Sequence, residues 1–243
     1  MTKATVMNDH RRISLTAGTL FIVATAASLT ATKLMPALTG DDYLSRVGEH
    51  SGAMATAFLL NLVAAGCSLG IAIALYAVLH RTHPAMALGA VVFRAIEAVC
   101  YVVGAVSLIT VLTVASAAHP VGDRAVAQTM SDALVSAHDR ASIAGVSAFV
   151  VGGLLYYVAL YRTRLVPRWL SGWGIIALPV MAIAWGLALY RDQPVTSFVV
   201  LAAPIGVQEI VFGIWLLIKG FTPTHPRQLA PAEALDISSN HAN

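Results

Sequence analysis

Long apolar stretches separated by short polar breaks dominate the pattern of this chain. Six of them, near residues 13–35, 53–79, 85–115, 142–161, 170–190 and 197–218, reach the roughly 20 residues that a helix needs to cross about 30 Å of hydrocarbon. Their polar residues do not alternate with apolar ones as in barrel strands. Helices, which satisfy their own backbone in lipid, are therefore the expected spanning form. The expected fold is all-α: a polytopic bundle of six transmembrane helices within residues 13–221, flanked by polar tails over 1–12 and 222–243.

Two segments outside the spans have a pattern of their own. Between residues 123 and 138, Val126, Met130 and Leu134 recur every fourth position, with Arg124, Gln128, Ser131 and Asp132 elsewhere around the helix. That spacing predicts a short amphipathic helix lying on the outer surface or capping the bundle. The tail after Phe221 contains Pro223, Pro226 and Pro231 and no apolar periodicity, so disorder is expected there.

Composition narrows the class. Of 243 residues, 58% are hydrophobic and 11% charged, against about 25% charged in a typical soluble domain. The length holds one membrane domain and leaves no room for a second globular one. No basic run mixed with aromatics points to nucleic acid. Cys67 and Cys100 fall within apolar spans without CxxC or Cys/His spacing and read as small packing residues. No cofactor is expected. Arg11-Arg12 and Ala24-Thr25-Ala26 loosely suit a cleaved leader, but the first apolar run exceeds the usual signal core of about 7–15 residues, so a retained helix is expected.

Charge gives the orientation. One side of the expected topology carries Lys3, Arg11, Arg12, Arg81, Arg162, Arg164, Arg168, Lys219 and Arg227. The other carries fewer cations, Lys33, Arg46, Arg124, Arg140 and Arg191, together with most of the acids. The positive-inside bias then places both termini in the cytoplasm.

Three ionisable residues interrupt the spans: Arg94, Glu97 and Glu209. Each costs roughly 2.5–3.5 kcal/mol at bilayer depth on insertion scales, so each needs a partner or a purpose. Arg94 and Glu209 both lie ten residues from a span end on the same side, about 15 Å deep, and Glu97 is one turn from Arg94 on the same face. An arginine between two carboxylates can tie helices together. Equally, it can mark a polar midplane pocket that holds an anionic solute on Arg94 and exchanges a proton through Glu97 or Glu209. Asn61, Gln208, Tyr76, Tyr101 and Ser107 are candidate walls of such a pocket.

Weaker signals lie elsewhere. Glu49-His50 and His138-Asp139 precede two spans on the outer side and together could hold a divalent metal, though acids and histidines at helix starts need no metal to explain them. Gly66 with Gly70, and Ala148 with Gly152 and Gly153, form small-residue faces that allow close packing inside the bundle or a homo-oligomer seam. Trp169, Trp173 and Trp215 suit the headgroup region, and Arg162, Arg164 and Arg168 could meet anionic lipid. No HExxH, GxSxG or phosphate loop occurs, so catalysis has no motif in its favour and no catalytic residue is assigned.

Several stretches together carry a resemblance. They are Leu75-Tyr76-Ala77-Val78-Leu79, Phe93-Arg94-Ala95-Ile96-Glu97-Ala98, the turn Val166-Pro167-Arg168-Trp169-Leu170 leading into Gly172-Trp173-Gly174, and Glu209 followed by Gly213-Ile214-Trp215-Leu216 and Lys219-Gly220-Phe221. From about Ile13 to Phe221 the chain resembles a broad family of bacterial multi-pass membrane proteins defined by a domain of unknown function. The resemblance implies about six helices in a bacterial cytoplasmic (inner) membrane, with His138 at a position where relatives carry a histidine near the outer start of the fourth span. It brings no substrate. Three readings follow: a small-solute carrier or ligand-binding protein, a non-catalytic accessory or scaffold protein, and a membrane-embedded metal enzyme using the outer His and Asp residues.

Overall fold

A computed structural model describes residues 3–40, 42–117, 124–191 and 198–222. Among these residues there are seven helices and no strand: α1 (Lys3–Leu34), α2 (Tyr43–Glu49), α3 (Ser51–Leu79), α4 (Pro84–Ala117), α5 (Arg124–Thr163), α6 (Arg168–Tyr190) and α7 (Val199–Ile218). All except α2 contain a stretch long and apolar enough to cross a membrane, and the chain is an integral multi-pass membrane protein.

The six long helices close into a ring. α1 packs on α3, α3 on α4, α4 on α5, α5 on α6, α6 on α7, and α7 returns to α1. The first and last spans are thus neighbours, and the ring leaves an axis that every span can face. α2 does not span; it leans on α4 and α3 at one end of the ring. The opposite end, where α1 begins and α7 finishes, is a basic end that bears Arg11, Arg162, Arg164 and Arg168.

Small residues set the closest approaches. A Cβ built on Gly18 of α1 would sit 2.8 Å from the Gly213 carbonyl oxygen of α7, and one on Gly213 would sit 3.0 Å from Phe21 Cβ. Gly104, Gly145 and Gly152 do the same along the α4–α5 seam, where their added Cβ atoms would meet His138, Cys100 and Phe93 at 3.0–3.2 Å. Gly153 faces Leu178 of α6 and Gly70 faces Leu20 of α1, whereas Gly66 is exposed with nothing within 4 Å. Within the bundle, therefore, Gly70 of the expected Gly66/Gly70 face packs on a neighbouring helix and Gly66 does not. Where lipid is no less apolar than leucine, such backbone proximity is a main source of helix association.

Helix ends follow local chemistry. Pro84 opens α4, where its missing N–H loses no bond. Gly220, at φ +71°, ends α7 in the left-handed conformation, and its N–H donates to the Trp215 carbonyl at 3.2 Å. Arg11 of α1 donates to the Leu217 and Leu216 carbonyls at 2.8 and 3.4 Å, capping the end of α7.

Two apolar clusters fill the structure. The larger joins Phe21, Leu75, Tyr156, Tyr157, Leu178 and Phe212 around the axis. The smaller holds α2 in place: Tyr43, Leu44 and Val47 pack on Met54, Leu108, Val111 and Ala127. Leu59, Ile73, Val99, Ile176 and Ile183 face outward, as lipid-facing positions do.

Residues 124–138 depart from expectation. They are helical, but they form the first turns of the uninterrupted 40-residue α5 and not a separate surface helix. Nor is the expected apolar stripe the buried one: Val126 and Met130 are 60% and 53% exposed, while Ala127 and Ser131 are buried. The reason is docking on α4 and α2, where small side chains let the helices approach and Tyr43 donates a hydrogen bond to Asp132 at 2.8 Å. α1 likewise starts at Lys3, well before the expected span. The expected disorder over 223–243 and the start of the sixth span at 197 lie outside the described residues.

Candidate functional site

The charged residues of the spans meet on the ring axis. Arg94 of α4 is buried among four helices, and each of its terminal nitrogens reaches a different neighbour. Nη1 donates to Ser68 Oγ of α3 at 2.9 Å and to Glu97 Oε2, one turn along α4, at 3.0 Å. Nη2 donates to the Tyr156 hydroxyl of α5 at 2.6 Å and lies 3.8 Å from Glu209 Oε1 of α7. The Phe149 ring covers the guanidinium, 4.2 Å from its centroid. Ser68 completes the circuit by donating to Glu97 Oε1 at 3.0 Å. A planar, permanently charged fork suits this arrangement better than a lysine ammonium.

The two carboxylates are not equivalent. Glu97 is 2% exposed and holds two hydrogen-bonded partners, so its charge is matched inside the protein. Glu209 is 18% exposed, and its distance to Arg94 exceeds a hydrogen bond. It lies on the wall of a cavity of about 220 Å³. All six long helices contribute to that wall: Phe21 and Thr25 from α1, Ser68 and Ile71 from α3, Arg94, Glu97 and Tyr101 from α4, Phe149 from α5, Met181 from α6, and Ala202, Gly206 and Glu209 from α7.

The cavity has a direction. Its lining runs from Phe21 to Leu29 on α1, from Arg94 to Tyr101 on α4 and from Glu209 back to Ala202 on α7. Each run covers about 10–12 Å of helix, and all three lead from the charged cluster toward the end that bears α2. Arg94 and Glu209 thus form the floor of a half-open space. Pro204 lies inside α7 beside this lining, so its ring removes the backbone N–H that would pair with the Val200 carbonyl.

A second buried network flanks the first. Tyr157, next to Tyr156, donates to Gln208 Oε1 at 2.6 Å, and Gln208 donates to the Leu170 carbonyl at 3.1 Å. It ties α5, α7 and the start of α6 one residue away from the cavity-facing Glu209.

Of the candidate walls, Tyr101 lines the cavity. Gln208 is held by Tyr157, Tyr76 stacks on His80 at 5.2 Å, and Asn61 and Ser107 bond to carbonyls of their own helices. Ser68, Phe149 and Tyr156 escaped the sequence reading. The adjacent Tyr156 and Tyr157 within an apolar span were a usable signal for the last of these, since a buried phenol needs a partner. Arg94, expected to hold an anionic group or to pair with Glu209, lies 3.8 Å from Glu209, with its terminal nitrogens engaged and its side chain 2% exposed.

The outer acid–histidine pairs do not converge. Among the described residues no group of three or more His, Cys, Asp or Glu side chains could hold a metal ion. The His50 ring nitrogen lies 2.8 Å from the Arg46 carbonyl and that of His138 lies 3.1 Å from the Gly104 carbonyl. Glu49 is exposed beside the first, and Asp139 follows the second on α5. At the basic end Arg162, Arg164 and Arg168 are exposed, with Arg168 over the Tyr161 ring at 5.0 Å. Tyr43 closes the α2 end; burial first, then the Asp132 carboxylate, pushes its phenol pKa up.

Comparison with known proteins adds one result. A family model described as a domain of unknown function (DUF4386) matches residues 16–220. No curated protein and no solved structure matches the chain.

Proposed function

The chain belongs to the DUF4386 family of multi-pass membrane proteins, and we propose that it binds a small solute in its central cavity as a carrier or ligand-binding membrane protein. The observation that carries this reading is Glu209: a carboxylate on the floor of a cavity lined by every span, partly exposed and incompletely paired. A charge kept at such depth without full pairing is costly and reads as functional. The Arg94–Glu97–Ser68–Tyr156 network supports a complementary role. It is closed on itself and ties α3, α4 and α5 together, which is what an accessory or scaffold protein would need of it. The helix-tying and solute-facing roles are thus divided between Glu97 and Glu209.

In this proposal the chain resides in a bacterial cytoplasmic membrane, with both termini and the basic end inside and the exposed Arg162, Arg164 and Arg168 near lipid headgroups. The cavity then leads to the outer face. Cysteine accessibility tests this. In a Cys67→Ser/Cys100→Ser background, Thr25→Cys and Gly206→Cys should react with a membrane-impermeant thiol reagent applied to the outer face of sealed cells. Ala177→Cys, on a buried face of α6, should not. Silence of the two cavity positions from both faces would make the bundle a sealed scaffold.

A further inference from the structure

Resting on the cavity as a solute site, we infer that its ligand is a compact organic cation: an amine on an apolar body, its nitrogen held by Glu209. The cavity floor carries one guanidinium against two carboxyl groups, so partners for a cation outnumber partners for an anion. The arginine is also the less accessible member. Its terminal nitrogens are bonded to Ser68, Glu97 and Tyr156, its face is covered by Phe149, and its unpartnered Nε is itself buried. An anion in the cavity faces the partly exposed Glu209, while the guanidinium N–H groups are bonded or buried.

A neutral guest would strip water from the Glu209 carboxylate and return no charge. A cation replaces that water with an ion pair in a low-dielectric space, where such pairs are strongest. The rest of the wall suits the body of such a guest. Phe21 and Tyr101 offer aromatic surface, which attracts cations by the ring quadrupole, while Ile71, Met181 and Ile205 are apolar. A cavity of about 150 Å³ admits benzene, so a volume of about 220 Å³ is on the scale of a somewhat larger, single-ring guest.

Benzylamine, benzyl alcohol and benzoate have nearly the same shape and differ in charge at pH 7. Their titration calorimetrically into the purified full chain in detergent tests the inference without any variant. Benzylamine is expected to bind at least tenfold more tightly than benzyl alcohol, with benzoate weakest. Glu209→Gln should remove that tenfold preference, and Gly206→Leu, which has open space for its side chain in the cavity wall, should weaken all three. Benzoate binding as well as benzylamine, or the alcohol matching the amine, would overturn the cationic class while leaving a solute cavity in place. Failure of all three to bind also overturns it, and the cysteine labelling then reports separately whether the cavity is open to water.

Discussion

Replacing Arg94 by methionine keeps an unbranched side chain of similar reach and removes the charge at the centre of the ring. Glu97, 2% exposed, is then left with the Ser68 hydroxyl as its remaining hydrogen-bonding partner from the network. Its attraction to Arg94 at 3.0 Å is about 5 kcal/mol at an effective dielectric of about 20. Part of this is returned because Arg94 no longer has to be buried. Removing one member of a buried pair typically costs about 3–5 kcal/mol, and Arg94→Met is expected in that range. Adding Glu97→Gln removes the stranded charge and should recover at least about 2 kcal/mol, an interaction energy of the size coupled buried sites show. Equilibrium unfolding in mixed micelles, followed by helix circular dichroism, measures both. A single variant within about 1 kcal/mol of wild type, or a double variant as unstable as the single one, would refute the idea that Arg94 is held in place to neutralise Glu97.

Glu209→Gln should behave differently. Its attraction to Arg94 at 3.8 Å is about 4 kcal/mol at the same dielectric, but repulsion by Glu97 and dehydration offset it, so the net change should stay within about 1 kcal/mol. A loss above about 3 kcal/mol in the same micellar unfolding would make Glu209 a structural tie. Gly18→Ala should destabilise by about 1–3 kcal/mol through overpacking against Gly213 and Leu217, whereas Gly66→Ala should be neutral or stabilising by up to about 1 kcal/mol. Equal effects would remove the close α1–α7 approach from the account. Tyr157→Phe leaves Gln208 Oε1 without its donor and should cost about 1–3 kcal/mol; an unchanged midpoint would show that water replaces it. Burial and Asp132 raise the Tyr43 phenol, so its protonated form stabilises α2 docking below about pH 10, and that contribution fades as pH climbs through the raised value. A phenolate difference spectrum between wild type and Tyr43→Phe should show one group titrating above about pH 10; titration at or below 10 refutes the packing of α2.

Bilayer thickness made the spans legible, because a fixed hydrocarbon depth demands apolar runs of a fixed length. The same arithmetic placed Arg94 and Glu209 at equal depth, and the structure brings them to 3.8 Å. Depth is a coordinate along the helix and says nothing about rotation around it. That is why Phe149 and Tyr156, on a span apolar around most of its circumference, could not be assigned to Arg94 from the sequence, and why Tyr76 could not be turned away from the axis. Ring closure through Gly18 and Gly213 was hidden for another reason. The two glycines are far apart in the chain, each without a second glycine at motif spacing, and they act only as a pair across α1 and α7. The 124–138 stripe misled because its period was right but its buried face was chosen by residue size and not by hydropathy. Glu209 was found as a charge, but its role as the exposed member of the trio depended on Ser68 and Tyr156 already engaging Arg94.

Because α5 is one unbroken helix, Asp132 and Tyr156 ride on the same stiff rod. Twenty-four residues of α-helix separate them by about 36 Å. Asp132 is gripped by Tyr43 at one end and Tyr156 grips Arg94 near the other. A tilt of about 5° about the Asp132 end sweeps Tyr156 sideways by about 3 Å over that lever arm, more than a hydrogen bond tolerates. The small helix α2, far from the charged floor, is therefore joined to it through one rod: a displacement of the Asp132 end along the helix axis is carried undiminished to Tyr156 and its contact with Arg94.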